Sequence, residues 1–165
     1  MAAVDLNTVR AAIETHFIAG FGAKIALQSG DILISQNGLT IVTQSVELGL
    51  TPLVFYNQDY KPTPNDSFVQ CLVTFDQTSY LTMGLASNAL NQVFGTVKAN
   101  VFTPKGTGPG ANYELADRIC SLCTREIFEG IQLGPLSGPS VIAAPQPSAF
   151  FQTAISVPFN VFEQL

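Results

Sequence analysis

The side chains best suited to chemistry in this chain are three cysteines and a single histidine. Cys120 and Cys123 have the spacing of both redox Cys-x-x-Cys sites and zinc-binding pairs. A redox pair normally lies at a helix N-terminus, where the dipole lowers the thiol pKa, whereas this pair falls inside a helical pattern on its apolar side. Zinc would need more ligands, and His16 is the only histidine. We therefore interpret Cys71, Cys120 and Cys123 as small buried apolar residues and predict no metal and no cofactor.

A loop rich in glycine and proline, from Pro104 to Gly110, is the other segment that could bind a ligand. It lacks the Gly-Lys-[Ser/Thr] ending of a phosphate-binding P-loop and does not match the Gly-x-Gly-x-x-Gly dinucleotide pattern. We predict a flexible connector there. The chain also has no Gly-x-Ser-x-Gly motif and no clustered carboxylates, so neither nucleophilic nor acid–base machinery is indicated. An enzyme is the least favoured class, and we predict no catalytic residues.

The composition favours a chain that buries much of its surface. Its 165 residues suit a single domain over residues 1–165. Only 12% of residues are charged, compared with roughly 25% in an average protein. The apolar runs are a few residues long, far short of the roughly 20 that span a bilayer, so we predict no membrane segment. Burial against other subunits is favoured over a monomer with a surface of uncharged polar residues.

The charge distribution gives no sign of a nucleic-acid groove. The net charge is −5, and the seven basic residues are scattered along the chain: Arg10, Lys24, Lys61, Lys98, Lys105, Arg118 and Arg125. No stripe of cations follows a phosphate backbone. An acidic channel through which DNA slides without sticking is compatible with this charge. No signal peptide is expected, because acidic and basic residues interrupt the first 15 positions.

Two helices are predicted from apolar residues at helical spacing. The first covers roughly Leu6–Ala19 with Asp5 as its N-cap. The second begins after Asn112, a plausible N-cap, continues past Ile127 and ends at Gly130. The only histidine flanks the apolar stripe of the first helix, where a structural role is favoured over a ligand or base.

A β-hairpin is predicted on either side of Asn37-Gly38, a dipeptide that suits a type I′ turn. Both faces of this ribbon carry aliphatic residues: Leu33, Ile34, Ile41 and Val42. They are therefore covered on both sides, either by a neighbouring subunit or within the same subunit, and the sequence leaves both alternatives open. We expect the hairpin to project from the domain.

Further strands are predicted at residues 51–56, 67–75, 95–103 and 151–161. Alternation assigns the core face of the second of these to Val69, Cys71, Val73 and Phe75. Pro158 indicates an edge position or a bulge in the last strand. Residues 76–93 are ambiguous, and residues 134–148 are predicted to form an irregular loop. Together the elements predict an α+β fold with a largely antiparallel mixed sheet packed by two helices, plus the extra N-terminal hairpin.

A series of short motifs occurs in the order seen in a known family. They are Thr51-Pro52, Asn57, Tyr60-Lys61-Pro62, Phe68-Val69, a strand from Gly95 to Phe102, then Pro104, Gly106 and Gly108, and Ala116-Asp117 in a helix. In this order the chain resembles the tail terminator and tail-completion proteins of long-tailed, siphovirus-like bacteriophages. The likeness covers the first helix and roughly Thr51–Leu165. Residues 23–50 are longer than the family pattern requires.

The resemblance implies a structural virion protein rather than an enzyme. Such a subunit forms a homohexameric ring at the head-proximal end of the tail, stops polymerisation of the tail tube and joins the tube to the head–tail connector or head completion protein. DNA passes through the ring without sequence-specific binding. The protein would be made in the host cytoplasm. The alternatives are another neck or tail-tube component of the same virion, or a soluble β-rich ligand-binding module.

Two sets of residues are candidates for contacts. Subunit or tube contacts are predicted in the hairpin and in the glycine-rich loop: Leu33, Ile34, Asn37, Gly38, Ile41, Val42, Lys105, Gly106, Gly108 and Gly110. Arg10 and Glu126 each fall on the apolar side of a predicted helix. A charge there either reaches solvent at its tip or is paired. The hypothesis to be tested is an ion pair between Arg10 and Glu126 that registers the helices or adjacent subunits.

Overall fold

A computed structural model describes residues 5–21, 51–56, 59–82, 90–143 and 149–164. Its elements are α1 (Leu6–Phe21), β1 (Leu53–Phe55), β2 (Phe68–Tyr80), β3 (Leu90–Pro104), α2 (Gly110–Cys123), β4 (Ile127–Phe128), β5 (Ile131–Leu133), β6 (Ser137–Ile142) and β7 (Phe150–Gln164). The described residues thus form two helices and a mixed seven-stranded sheet, which confirms the predicted α+β class. The N-terminal hairpin predicted around Asn37-Gly38 lies outside the described residues.

The sheet is built on two long neighbouring strands. Its order is β1-β2-β3-β7-β5-β4, with β6 also paired to β7. β3 and β7 each have 15 residues and pair antiparallel along their full length, from Leu90↔Gln164 to Pro104↔Phe150. β1 is parallel to β2, and the other pairs are antiparallel. The second edge of β7 is shared, because β5 pairs with its C-terminal part and β6 with its N-terminal part.

Pro158 lies at the break between those two partners of β7. The predicted edge position is wrong, because β7 is an inner strand of the sheet. The carbonyl of Pro158 accepts a hydrogen bond of 2.7 Å from the Gly134 N–H, so its backbone groups point away from β3. β5 ends at Leu133 and β6 begins at Ser137, which leaves no strand opposite the missing N–H. An inner strand therefore accommodates proline without losing a ladder hydrogen bond.

One face of the sheet is covered by both helices and forms the core. Alternate residues of the central strands point into it: Val97, Ala99 and Val101 from β3, and Ile155, Val157 and Phe159 from β7. Val9, Ile13 and Phe17 of α1 and Ala116, Ile119 and Cys123 of α2 pack against them. Gly95 lets Phe159 lie across β3, because a Cβ at residue 95 would collide with the Phe159 ring and the Thr74 carbonyl. Of the predicted inward set of β2, Val69 and Cys71 are buried, and Val73 and Phe75 are partly buried against the same core.

The first helix begins as predicted, whereas the second differs at both ends. Asp5 Oδ1 accepts from the Asn7 N–H at 3.0 Å, as an N-cap does. α2 begins at Gly110, two residues before the predicted cap, and ends at Cys123 because Thr124 is extended and Arg125 has a positive φ of 55°. The expected stop at Gly130 is wrong.

The described parts of the segment that was ambiguous in the sequence, residues 76–82 and 90–93, belong mostly to β2 and β3. β2 continues to Tyr80 past a register shift between Phe75 and Gln77, and β3 starts at Leu90. Three strand ends pair side by side here, and we call them the arm: residues 78–80 of β2, 90–93 of β3 and 161–164 of β7. The segment predicted as an irregular loop also contains a strand, β6. Its register shift between Ser137 and Ser140 accommodates Pro139, which is why the sequence concealed it.

Candidate assembly surfaces

A buried polar network fixes the start of α2 on the sheet. Asn112 is fully buried, and its Nδ2 donates to the Val101 carbonyl at 3.1 Å and to Thr103 Oγ1 at 3.2 Å. Its Oδ1 accepts from Thr153 Oγ1 at 2.6 Å. The side chain predicted to cap the helix instead joins α2 to β3 and β7. Because the amide is satisfied on both atoms, it costs little to bury and sets the position of the loop before it.

The glycine-rich loop, residues 105–110, is exposed, and two hydrogen bonds hold its first residues. The Lys105 N–H donates to the Ala149 carbonyl at 2.9 Å, and Thr107 Oγ1 donates to the Pro104 carbonyl at 2.9 Å. Gly106 and Gly108 have φ of 95° and 82°. A Cβ added at Gly106, Gly108 or Gly110 would meet no atom within 4 Å. The predicted contact residues of this loop therefore lie together, with open space in front of them, whereas those of the hairpin (Leu33, Ile34, Asn37, Gly38, Ile41 and Val42) lie outside the described residues.

The predicted ion pair between Arg10 and Glu126 does not form within the chain. Arg10 Nη1 lies 2.8 Å from Glu14 Oε1, one helical turn along α1, and Nη2 donates to Asn7 Oδ1 at 2.9 Å. The buried stripe of α1 is centred on Val9, Ile13 and Phe17, so Arg10 points outward. The placement of Arg10 on the apolar side of α1 was wrong, because Leu6, which is exposed, was counted as part of the apolar face.

Glu126 is exposed as well, and it is not part of α2. The helix ends three residues earlier, so a helical wheel does not apply to this position. The Glu126 carbonyl accepts from the Leu133 N–H at 3.0 Å, which places it beside the β4–β5 hairpin. A pairing of these two charges between adjacent subunits stays a prediction.

The histidine and the cysteines have structural surroundings. His16 Nε2 donates to the Leu122 carbonyl at 3.1 Å, and its ring stacks on Phe128 with 4.1 Å between centroids. Burial raises the pKa of the Cys71 thiol, and burial with the neighbouring Cys120 raises the pKa of Cys123 to about 12. Such thiols stay protonated and unreactive at neutral pH. Cys71 and Cys123 are buried as predicted, whereas Cys120 is only partly buried.

Exposed apolar side chains on the arm form a surface that the sequence analysis missed. Leu90 and Phe162 project from the sheet face opposite the helices, and the Leu81 N–H donates to the Leu90 carbonyl at 2.8 Å. Their side chains are 48% (Leu81), 37% (Leu90) and 53% (Phe162) exposed. We call these three residues the tip patch. Phe162 follows the core-facing Val161 in β7, so strict alternation places Phe162 on the other face of the sheet. This alternation was the signal that the sequence offered.

Two further exposed apolar residues lie beside the N-terminal part of β7. Val141 and Ile142, the last residues of β6, are 56% and 39% exposed and pair with Thr153 and Gln152. Because they are consecutive strand residues, they lie on opposite faces of the sheet and do not form one patch. The prolines and glycines of this segment hid β6 from sequence analysis.

A cavity opens where α2 ends. It has a volume of about 500 Å³ and is lined by Cys123, Thr124, Arg125, Gln132, Leu133, Gly134, Pro135 and Leu136. Arg125 supplies the one charged side chain of this lining. Among the described residues, no three His, Cys, Asp or Glu side chains are grouped as a metal site would require. Neither described helix has the length and hydropathy to cross a membrane.

Comparison with known proteins supports the fold and leaves the function open. No protein-family model matches the chain, and no curated protein sequence matches it. Solved structures match as well, and one of them is similar with a TM-score of 0.61 and 16% sequence identity, over 96% of this chain and 96% of the other. The similarity therefore shows that the same α+β fold occurs elsewhere over the whole length.

Proposed function

We propose that this chain is a structural virion subunit, a tail terminator that forms a hexameric ring at the head-proximal end of a phage tail. The observation that carries the proposal is the exposed apolar tip patch on a chain with very few charges. A group of exposed Leu and Phe side chains on one sheet face marks a contact surface. The order of motifs from Thr51 to Asp117 supports the choice of family.

The mechanism is surface complementarity without bond chemistry. One side of the ring matches the last ring of the tube, and the other side differs from a tube end, so no further tube ring adds. The exposed loop at residues 105–110 is suited to one of these contacts, because its glycines leave room for a close approach. The net charge of −5 suits a channel from which DNA is repelled rather than held.

The experiment combines the purified chain with the tube protein of its own virion. A terminator is expected to appear as one ring at one end of each tube, and mean tube length falls as the ratio of terminator to tube protein rises. A tail-tube subunit would instead be incorporated along the whole tube. A chain that stays monomeric and leaves tube length unchanged contradicts the proposal. Electron microscopy of negatively stained tubes separates the three results.

A variant of the loop tests its part in the same assay. Gly110→Leu places a side chain in open space and has no positive φ to strain, so the subunit should fold as before. Capping should weaken if another chain approaches this position. Ser121→Leu, on the exposed side of α2, is the matched control and should cap normally. Equal capping by both variants would remove the loop from the contact.

A ligand-binding module is the second candidate, on the observation of the cavity at the end of α2. Its apolar lining with one arginine suits a small acidic molecule with an apolar body. Thermal shift screening of such compounds, with Arg125→Ala as control, tests this reading. Stabilisation of the wild type and not of the variant would favour it, together with a monomer in solution.

A further inference from the structure

We infer that the outer edge of β6 binds an added β-strand, and that this strand is residues 39–44 of a second copy of the chain. The inference rests on the proposed ring and names one of its subunit contacts. The acceptor lies within the described residues, at Ser140, Val141 and Ile142. The donor belongs to the predicted hairpin, residues 31–44, which lies outside the described residues.

The strand β6 has an open edge. It pairs with β7 on one side, and no described strand pairs with it on the other. Five of its six residues are exposed, and none is charged. Edge strands of native proteins are usually protected by charges, and an unprotected edge is a template for another strand. Because Pro139 has no N–H to donate, the part of this edge that can pair is Ser140–Ile142.

Val141 and Ile142 leave apolar area on both faces of the sheet at this edge. Val141 is in register with the buried Thr153 and lies on the face covered by the helices, whereas Ile142 is in register with Gln152 and lies on the opposite face. A helix or a flat surface would cover only one of the two side chains. A strand added at the edge covers both at once, because its own side chains alternate between the two faces.

The predicted hairpin has the pattern that this edge requires. Residues 32–44 contain no charge and carry aliphatic side chains on both faces of the predicted ribbon. Residues 39–44 include four β-branched residues in succession, Thr40 through Thr43, which favour a strand. Ile41 and Val42 are consecutive, so one of them lies on each face of an added strand. Contact between two uncharged surfaces of this kind removes no charge from water.

The donor and the acceptor lie at opposite sides of one sheet, and this selects a second copy. The hairpin precedes β1, the first strand in the order β1-β2-β3-β7, and β6 lies beyond β7. Four strand spacings of about 4.8 Å separate β1 from β6, which is about 19 Å. Within one copy the hairpin would cross three strands and return, whereas consecutive elements are normally neighbours. A donor at one edge and an acceptor at the other give a heterologous contact, which repeats until a ring closes.

Cross-linking between two populations of the chain tests this contact. The background is Cys120→Ser, which removes the partly exposed thiol. One population carries Val42→Cys and the other Ile142→Cys, and the two are mixed before assembly and treated with a flexible bismaleimide. The expected product is a covalent pair with one chain of each kind. Ser121→Cys, on the exposed side of α2, replaces Ile142→Cys as the matched control and should give no pair.

Two other products of the same experiment would overturn the inference. A bridge within a single chain that carries both Val42→Cys and Ile142→Cys would place the hairpin on its own sheet. Covalent pairs between two Ile142→Cys chains would show a two-fold contact between β6 edges. Mass spectrometry of the cross-linked peptides distinguishes these products from the expected one.

A charge at the open edge gives a second, independent test without cross-linking. Ile142→Lys should raise the concentration needed for assembly about tenfold, because the added charge would lose water in the contact. Ile127→Lys is the matched control, since Ile127 is 68% exposed on β4, the strand at the other end of the sheet. It should leave assembly unchanged, and equal effects of the two variants would overturn the inference. Circular dichroism confirms that each variant is folded.

Failure of this inference can be told apart from failure of the proposed function. Rings that form normally in the Ile142→Lys variant, or intact rings that give no cross-linked pair, overturn the contact and leave the ring standing. A wild-type chain that stays monomeric, alone and with tube protein, contradicts both.

Discussion

The two faces of β3 and β7 differ in what their side chains find within the chain. On the face beneath the helices, Val97, Ile155 and Val157 are almost fully buried, and the polar Asn112 and Thr153 satisfy each other. On the opposite face at the arm, Leu90 and Phe162 remain exposed to about half. The same alternating strands produce both surfaces. The first holds the fold together, and the second leaves apolar area exposed.

The largest difference between the faces is expected for truncation of a core residue. Ile155→Ala should lower the free energy of unfolding by about 2–5 kcal/mol, because it leaves a cavity under both helices. Phe162→Ala should lower it by less than about 1 kcal/mol, because the ring is half exposed. Urea unfolding of both variants measures this. Similar losses from both would mean that the arm belongs to the core.

The polar network on the covered face should show the next largest effect. Asn112→Leu leaves the Thr153 and Thr103 hydroxyls and the Val101 carbonyl without their amide partner and should cost about 1–3 kcal/mol. Thr153→Val removes the hydroxyl that donates the 2.6 Å hydrogen bond to Asn112 Oδ1. A double-mutant cycle on the two sites should give a loss clearly smaller than the sum. Additive losses would show that the network is not coupled.

The covered face should also make stability sensitive to alkaline pH. Burial raises the pKa of Cys123 from its ordinary 9.0 to about 12. The stability from its protonated thiol is therefore fully present below about pH 9 and is lost as pH rises towards 12. By pH 10 the loss should be about 1 kcal/mol. The change between pH 8 and pH 10, measured by urea unfolding, should be smaller in Cys123→Ala; an equal change in both proteins would contradict the assignment.

The smallest effect is expected for the ion pair on the outer side of α1. Arg10 and Glu14 are one turn apart in the exposed part of the helix, so Arg10→Met should cost about 0.3–0.5 kcal/mol. Glu126→Gln should change the stability of the isolated subunit by less than that, because the side chain is exposed. A loss of several kcal/mol for either variant would instead support a buried ion pair between Arg10 and Glu126, which the structure does not show.

The residues of the covered face could be predicted from the sequence, because alternation within a single strand is enough to identify them. Alternating apolar residues fix both the strand and its inward side, as in Val97–Val101 and Ile155–Val161. The same alternation gave the correct face of β2. The α+β class followed from these strands and the two helices.

The start of α2, the strand β6 and the tip patch could not be predicted, because they depend on contacts between residues that are distant in the sequence. Asn112 looked like a cap, and only the positions of Val101 and Thr153 show that its amide joins the sheet. Pro139 concealed β6, because the pairing that tolerates it is supplied by β7. The tip patch arises where β2, β3 and β7 end together, which no single segment reveals. Arg10 was misplaced because one exposed leucine, Leu6, shifted the apparent stripe by part of a turn.

The central claim is that this chain is a ring-forming structural subunit. The most direct measurement is the mass and shape of the purified chain, by native mass spectrometry and electron microscopy, with and without tube protein. The account predicts a closed six-membered ring in at least one of these conditions. A monomer in both, or an open filament with no defined copy number, would contradict it.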